Sequence, residues 1–311
     1  MSLQRTRAIG VAAAVALIAV GAFLSKGGRP VPPDKSRDGK LRIVSLAPST
    51  TEMLFALGVG DCVVGVTSYC DYPREAKRIQ RVGGFGAPNL EMLLALSPNL
   101  VVAAGLENPE IAGLLRKSDV QVLDLRIRNL DEMFAGLRQI GRAIGRVRQA
   151  EEVVARMQAE LQAVAAHSGR IPRNRRLRVF VELGDHPVMT VGGSSFLDEV
   201  IARAGGVNVA HELSQPYPHV SPEKVIEWDP DVIVVGHLTR GANAATQMAQ
   251  RIGWAKISAV RQGRIIDDIP PDLILRPGPR LIDGVKALAQ RLRRVLPESG
   301  SVGNQESRTC P

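Results

Sequence analysis

Two stretches of this chain follow one plan, so whatever fold serves the first has to be built again for the second. PNLEMLLALSPNLVV (residues 88–102) reads as a helix start, a Pro break and a buried strand, and VSPEKVIEWDPDVIVV (220–235) reads the same way. With Glu91 set on Glu223, the apolar residues Leu93, Leu94, Leu100, Val101 and Val102 fall on Val225, Ile226, Val232, Ile233 and Val234, and Pro98 falls on Pro230. A second echo sets Glu52, Met53, Leu54, Leu57 and Gly58 of TEMLFALG on Glu199, Val200, Ile201, Ala204 and Gly205 of DEVIARAG. Its offset differs, as insertions between the paired motifs would make it. Two related half-molecules are the reading that accounts for both.

Around these motifs, short apolar runs alternate with longer helical patterns. The strand candidates are residues 42–46, 62–67, 100–104 and 120–125, then 177–183, 187–191, 231–236 and 264–267. Runs this short and apolar, separated by helices, predict α/β lobes whose sheets are covered on both faces. Residues 131–169 are helix-forming for most of their length, with Val153, Val154, Met157, Leu161 and Val164 on one face. That predicts two α/β lobes, 41–145 and 170–296, joined by a single long helix over 146–169, with a ligand cleft between them. A helix is a stiffer joint than a Gly- and Ser-rich linker.

The ends read differently. MSLQRTR is cationic, the next 17 residues are apolar, and a Pro- and Gly-containing linker (25–40) follows. This is the layout of an export signal over 1–24, with an uncleaved anchor as the alternative. It places the rest outside the cytoplasm, in the periplasm. Residues 297–311 read as a disordered tail. The formal charge of +9 sits largely in the first 40 residues, where seven Lys and Arg face two Asp, and only 4% of the chain is aromatic. Stacking platforms for bases are scarce, which argues against nucleic acid as a partner.

Catalytic motifs are absent: there is no G-x-x-x-x-G-K-[ST], no G-x-S-x-G and no H-E-x-x-H. The reading is not an enzyme, with no cofactor. His186, His211, His219 and His237 all lie in the second half, whereas a metal held between lobes would draw ligands from both, so no metal site is expected. Cys62 and Cys70 are candidates for a disulfide in an oxidising compartment, with two unpaired thiols as the alternative.

Asn89 and Ser221 are good N-cap residues, and Pro222 suits a first helical position. Glu91 and Glu223 then stand in the first turns of matching helices. Singly each only favours its helix dipole; as a pair they suit a two-fold partner. The first offset also pairs Phe85 with Tyr217, each upstream of its helix, and TSYCDYP adds Tyr69 and Tyr72 after a predicted strand. Loops at the carboxyl ends of strands are where ligands bind in open α/β sheets.

RIVSLAPSTTEMLFALG, VGVTSYCDYP, NLEMLLALSPNLVVA, SSFLDEVIARAGGVNVA and VSPEKVIEWDPDVIVVG together resemble the substrate-binding proteins of ABC importers for cobalamin and ferric siderophores, over roughly residues 41–294. The resemblance implies two α/β lobes bridged by one long helix, with small lobe movements and the ligand in the cleft. It makes Glu91 and Glu223 the carboxylates that dock on arginines of the permease dimer. It makes Tyr69, Phe85 and Tyr217 the aromatic walls, the last two standing where cobalamin-binding members have Trp. Asp272 and Arg276 of PPDLILRPGPR match a polar pair on a late loop. A corrinoid is a broad, partly apolar macrocycle with amide arms, which suits such walls. A ferric siderophore is the main competitor, and haem the other, since Tyr69, Tyr217 or His219 are types that ligate its iron.

Overall fold

A computed structural model describes residues 40–106, 109–118, 120–236 and 244–295. The export segment 1–24, the 25–40 linker except Lys40, His237 and the 297–311 tail with Cys310 lie outside the described residues.

The first half runs β1 (Ile43–Ser45), α1 (Pro48–Ala56), β2 (Val63–Val66), β3 (Gln80–Arg81), a hairpin of β4 (Gly83–Gly84) and β5 (Ala87–Pro88), α2 (Leu90–Ala95), β6 (Leu100–Ala103), α3 (Pro109–Lys117), β7 (Gln121–Asp124) and α4 (Leu130–Ala143). Next comes α5 (Val147–Ser168). The second half runs β8 (Arg178–Glu182), a hairpin of β9 (Gly184–Asp185) and β10 (Val188–Met189), α6 (Phe196–Arg203), β11 (Val207–Asn208), α7 (Pro222–Trp228), β12 (Val232–Val235), α8 (Ala244–Gln250), α9 (Ser258–Arg261), β13 (Ile265–Ile266), α10 (Pro271–Leu275) and α11 (Leu281–Val295).

The two main sheets are parallel and share one order over four strands. The first is β3-β2-β1-β6-β7 and the second is β11-β8-β12-β13, so β1 and β6 occupy the places of β8 and β12. Alternation along each central strand divides its side chains between two cores. Ile43, Leu100 and Val102 face a core shared with α4, α5 and α11, as do Val179, Val181, Val232 and Val234 from the second sheet. Val44, Val101 and Ala103 face the other way, onto Leu93 and Leu115. Phe180, Ile233 and Val235 do the same in the second half, onto Val225 and Trp254. Both faces are covered, as the apolar runs predict. The 187–191 run departs from expectation: Val188 and Met189 pair with β9, outside the main sheet, and their other side bonds the 218–220 loop through Thr190 and Val220.

The repeated motif is duplicated down to single hydrogen bonds. Asn89 caps α2 by accepting the Met92 N–H at 3.0 Å, and Ser221 caps α7 by accepting that of Lys224 at 3.2 Å. After each helix comes a residue with left-handed backbone, Ser97 (φ 46°) and Asp229 (φ 41°), neither a glycine. The strain is held by matching clamps. Arg42, before β1, donates from its side chain to the Leu96 carbonyl at 2.7 and 3.0 Å, while its N–H donates to Asn99 Oδ1 at 2.9 Å. Arg178, opening β8, donates to the Trp228 carbonyl at 2.6 Å, while its N–H donates to Asp231 Oδ2 at 2.8 Å.

The helical stretch 131–169 is two helices. Gly145 takes φ 71°, a turn that costs little without a Cβ, and the chain reverses so that α4 packs along α5. A Cβ on Gly141 would lie 2.5 Å from that of Ala150, so this close approach requires glycine. On α5, Val153, Val154, Met157 and Leu161 are buried and Val164 partly so. The helix packs on α4 and also on α6 and α11 of the second half.

The candidate disulfide is not formed: Cys62 and Cys70 are free thiols. They flank opposite ends of β2, and an extended strand of four residues with its flanks carries the two Cα atoms beyond the roughly 7 Å a disulfide tolerates. Cys70 Sγ is buried, 3.1 Å from both Thr51 Oγ1 and Thr67 Oγ1.

Candidate functional site

Glu91 and Glu223 stand in the first turns of α2 and α7, both exposed, and neither makes an ion pair among the described residues. The two carboxylates therefore project from equivalent helix starts with their charge uncommitted.

The three aromatic candidates are also exposed: Tyr69 at 60%, Phe85 at 55% and Tyr217 at 43%. Side chains this exposed stand out from their loops rather than packing beneath them. Tyr69 follows β2, and Phe85 sits at the tip of the β4–β5 hairpin. The two loops are tied by the Ser68 N–H donating to the Gly83 carbonyl at 2.9 Å. Tyr217 lies on a second-half loop held by the Thr190 N–H on the Pro218 carbonyl and the Gly192 N–H on the Pro216 carbonyl, each at 3.0 Å. It shares no hydrogen bond or ring contact with the other candidates among the described residues.

Asp272 and Arg276 join the Tyr69 loop through a network that crosses between the halves. Arg276 Nη1 donates to Asp71 Oδ1 at 2.6 Å, Nη2 lies 3.0 Å from Asp272 Oδ1, and Nη1 lies 3.6 Å from Glu52 Oε1. The guanidinium is thus no exposed donor fork; its side chain is 16% exposed and shared among three carboxylates. Arg280 completes the network, with Nε 3.0 Å and Nη2 2.6 Å from the two Glu52 oxygens and its guanidinium 3.8 Å from the Tyr72 ring centroid.

Burial pushes the Glu52 carboxyl above its ordinary value, and Arg280 and Arg276 pull it back without cancelling the rise. Burial also pushes the Asp71 carboxyl up, but there the hydrogen bond and charge of Arg276 win and leave it below its ordinary value. Glu52, Asp71 and Arg280 are absent from the residues read from the sequence as site candidates, and Tyr72, noted there beside Tyr69, stacks on Arg280. The one sequence trace of Glu52 is its place in the second echo. A cavity of about 410 Å³ opens beside the network, lined by Phe55, Tyr72, Arg156, Met157, Pro279 and Arg280 among others. It lies against α5, and Tyr69, Phe85 and Tyr217 do not line it.

No cluster of His, Cys, Asp and Glu among the described residues could hold a metal ion, and no described helix is long and apolar enough to cross a membrane.

Compared with known proteins, residues 43–272 match the periplasmic binding protein family. An uncharacterized ABC transporter substrate-binding lipoprotein of Bacillus subtilis is 32% identical over 256 residues, covering 81% of this chain and 79% of its own. A vitamin B12-binding protein of Pectobacterium carotovorum is 30% identical over 261 residues, covering 84% of this chain and 91% of its own. Among solved structures, the periplasmic haem-binding protein RhuT of Roseiflexus, in its apo form, superposes with a TM-score of 0.73 at 31% identity, over 83% of this chain and 100% of that one.

Proposed function

This chain belongs to the periplasmic binding protein family, and from that premise we propose that it captures a corrinoid outside the cytoplasm and delivers it to the two-subunit permease of an ABC importer. Tyr69, Phe85 and Tyr217 supply apolar walls for the macrocycle, and Asp272 with Arg276 supplies polar contact at its edge. Glu91 and Glu223 dock the loaded protein on the permease. The ATPase of that importer supplies the energy, and this chain supplies affinity.

The observation that carries the choice of ligand is the charge balance around Arg276. It is the one arginine among the nominated cleft residues, and Asp71, Asp272 and Glu52 surround it. An anionic ferric chelate gains little from a cation already neutralised, whereas an uncharged amide-bearing ring loses nothing by that arrangement. Exposed aromatic side chains suit the same ligand, because a broad flat macrocycle binds a shallow wall rather than an enclosed cavity. The vitamin B12-binding relative points the same way.

Haem is the second reading, favoured by the exposed phenols of Tyr69 and Tyr217, either of which is a type that ligates iron. Isothermal titration separates the two. The proposal expects saturable heat with cyanocobalamin and none with hemin or a ferric siderophore. Saturable hemin binding with a tyrosinate absorption band, and no response to cyanocobalamin, rejects the ligand.

A further inference from the structure

The second sequence echo pairs Glu52 of α1 with Glu199 of α6, and the structure gives the pair a shared task. Glu52 reaches out of the first half to Arg280, the residue immediately before α11 of the second half, and holds it at 2.6 and 3.0 Å. Glu199 reaches out of the second half to the first residue of α4 in the first half: the Leu130 N–H donates to Glu199 Oε2 at 3.0 Å. α4 and α11 are themselves counterparts. Each comes after the last strand of its sheet, α11 with the short α10 between, and each packs on α5 and on the helix of its own half that carries the glutamate.

We propose that Glu52 and Glu199 are reciprocal clasps, positioning residues through which the first helix of each half grips the start of the last helix of the other, and so fix the spacing of the halves across the cleft.

The two clasps differ in strength. Glu52 is 3% exposed and grips a guanidinium by both oxygens, a charge-assisted and geometrically demanding contact. A guanidinium at a helix start opposes the helix dipole, so Arg280 needs that carboxylate there. The Tyr72 ring stacks on the Arg280 guanidinium. Glu199 instead accepts one backbone N–H, and its other oxygen pairs with Arg203 on its own helix at 2.9 Å. The Glu52 clasp thus commits two charges to one spacing, and Glu199 steers the opposite side. Arg276 is bound into the same network, so the spacing and the polar edge of the candidate site are set together. A buried charge pair kept for register rather than for net stability is the best-attested use of such pairs.

The test needs no ligand, so its outcome stands apart from whether the ligand is a corrinoid. Spin labels at Lys117→Cys and Gln262→Cys, both exposed positions in opposite halves, report the distance between the halves in full-length protein whose native cysteines are serine. The proposal expects one narrow distance for the parent, a shift of several ångströms or a marked broadening for Glu52→Gln, a smaller change for Glu199→Gln, and the largest for the double variant. The charge-swapped Glu52→Arg/Arg280→Glu protein should regain a narrow distribution. Separately, amide exchange at Leu130 should rise at least tenfold in Glu199→Gln. Distance distributions that superimpose on the parent in Glu52→Gln and in the double variant overturn the proposal. If Glu52→Gln does not fold, the Leu130 exchange decides: exchange unchanged in Glu199→Gln overturns reciprocity.

Discussion

The starts of α2 and α7 have stayed alike in the two halves, whereas the contacts of α1 and α6 and the aromatic loops have diverged. At α2 and α7 the N-cap, the first-turn glutamate, the left-handed residue after the helix and the arginine clamp recur in both halves. At α1 and α6 and at the aromatic loops the halves differ: Glu52 holds two arginines where Glu199 holds a backbone amide, and the hairpin carrying Phe85 answers to a longer loop carrying Tyr217. A surface kept identical in both halves suits a partner that is itself two-fold. A surface that has diverged suits an object without such symmetry. The contrast is the one that the proposed docking face and the proposed ligand face call for, and it is drawn without reference to any relative.

The comparison can be broken at several points. The largest effect belongs to the alike surface. Replacing Glu91 and Glu223 by Ala should cut uptake by at least about tenfold while leaving ligand affinity intact, because rim charges govern partner encounter. Each single replacement should cost a similar share, and normal transport by the double variant removes the docking role.

Among the diverged positions, Glu52→Ala leaves Arg280 and Arg276 short of a buried carboxylate and should destabilise the fold by about 3–5 kcal/mol in denaturant unfolding. Glu199→Ala, at a half-buried position with a single cross-half bond, should cost about 1 kcal/mol. Equal losses would mean that the two positions have not diverged in energy.

The clamps sharpen the symmetric side. Arg42→Met and Arg178→Met each remove a charged donor from a helix-end carbonyl, so each should cost about 1.5 kcal/mol, and a difference between them of more than about 1 kcal/mol would contradict the equivalence of the halves.

The smallest effect is a pH dependence confined to the second half. Asp198 hydrogen-bonds His211 at 3.0 Å and holds its pKa above the ordinary 6.5. Protonated His211 is favoured in the folded state, so its contribution is complete below pH 6.5 and is lost as pH rises through the elevated folded value. His211 is exposed, so the loss should be at most about 0.5 kcal/mol, visible as a downward step in melting temperature that Asp198→Asn abolishes.

Local pattern carried much of this into the sequence. The strands announce themselves as short apolar runs, the caps of α2 and α7 as Asn89 and Ser221, and the buried face of α5 as Val153, Val154, Met157 and Leu161. The boundary read between residues 145 and 146 falls at Gly145, where α4 gives way to α5, but the reversal that lays α4 along α5 is hidden by the uninterrupted helix-forming composition around it. The sequence leaves Cys62 and Cys70 open between a disulfide and two thiols, because closeness in sequence does not decide closeness across a strand. The arginine clamps and the cross-half network left no local trace. Arg276 meets Asp71 across 205 residues and Arg280 meets Glu52 across 228, and each side chain taken alone reads as an ordinary surface charge.

The central claim is that exposed aromatic side chains on these loops form the binding wall for a corrinoid. Cyanocobalamin affinity, compared between the native chain and a Tyr69→Ala/Tyr217→Ala variant with the same melting temperature, tests it most directly. A loss of at least about tenfold, or roughly 1.4 kcal/mol, is the expected result. Undiminished binding by the variant would place the ligand elsewhere and contradict the account.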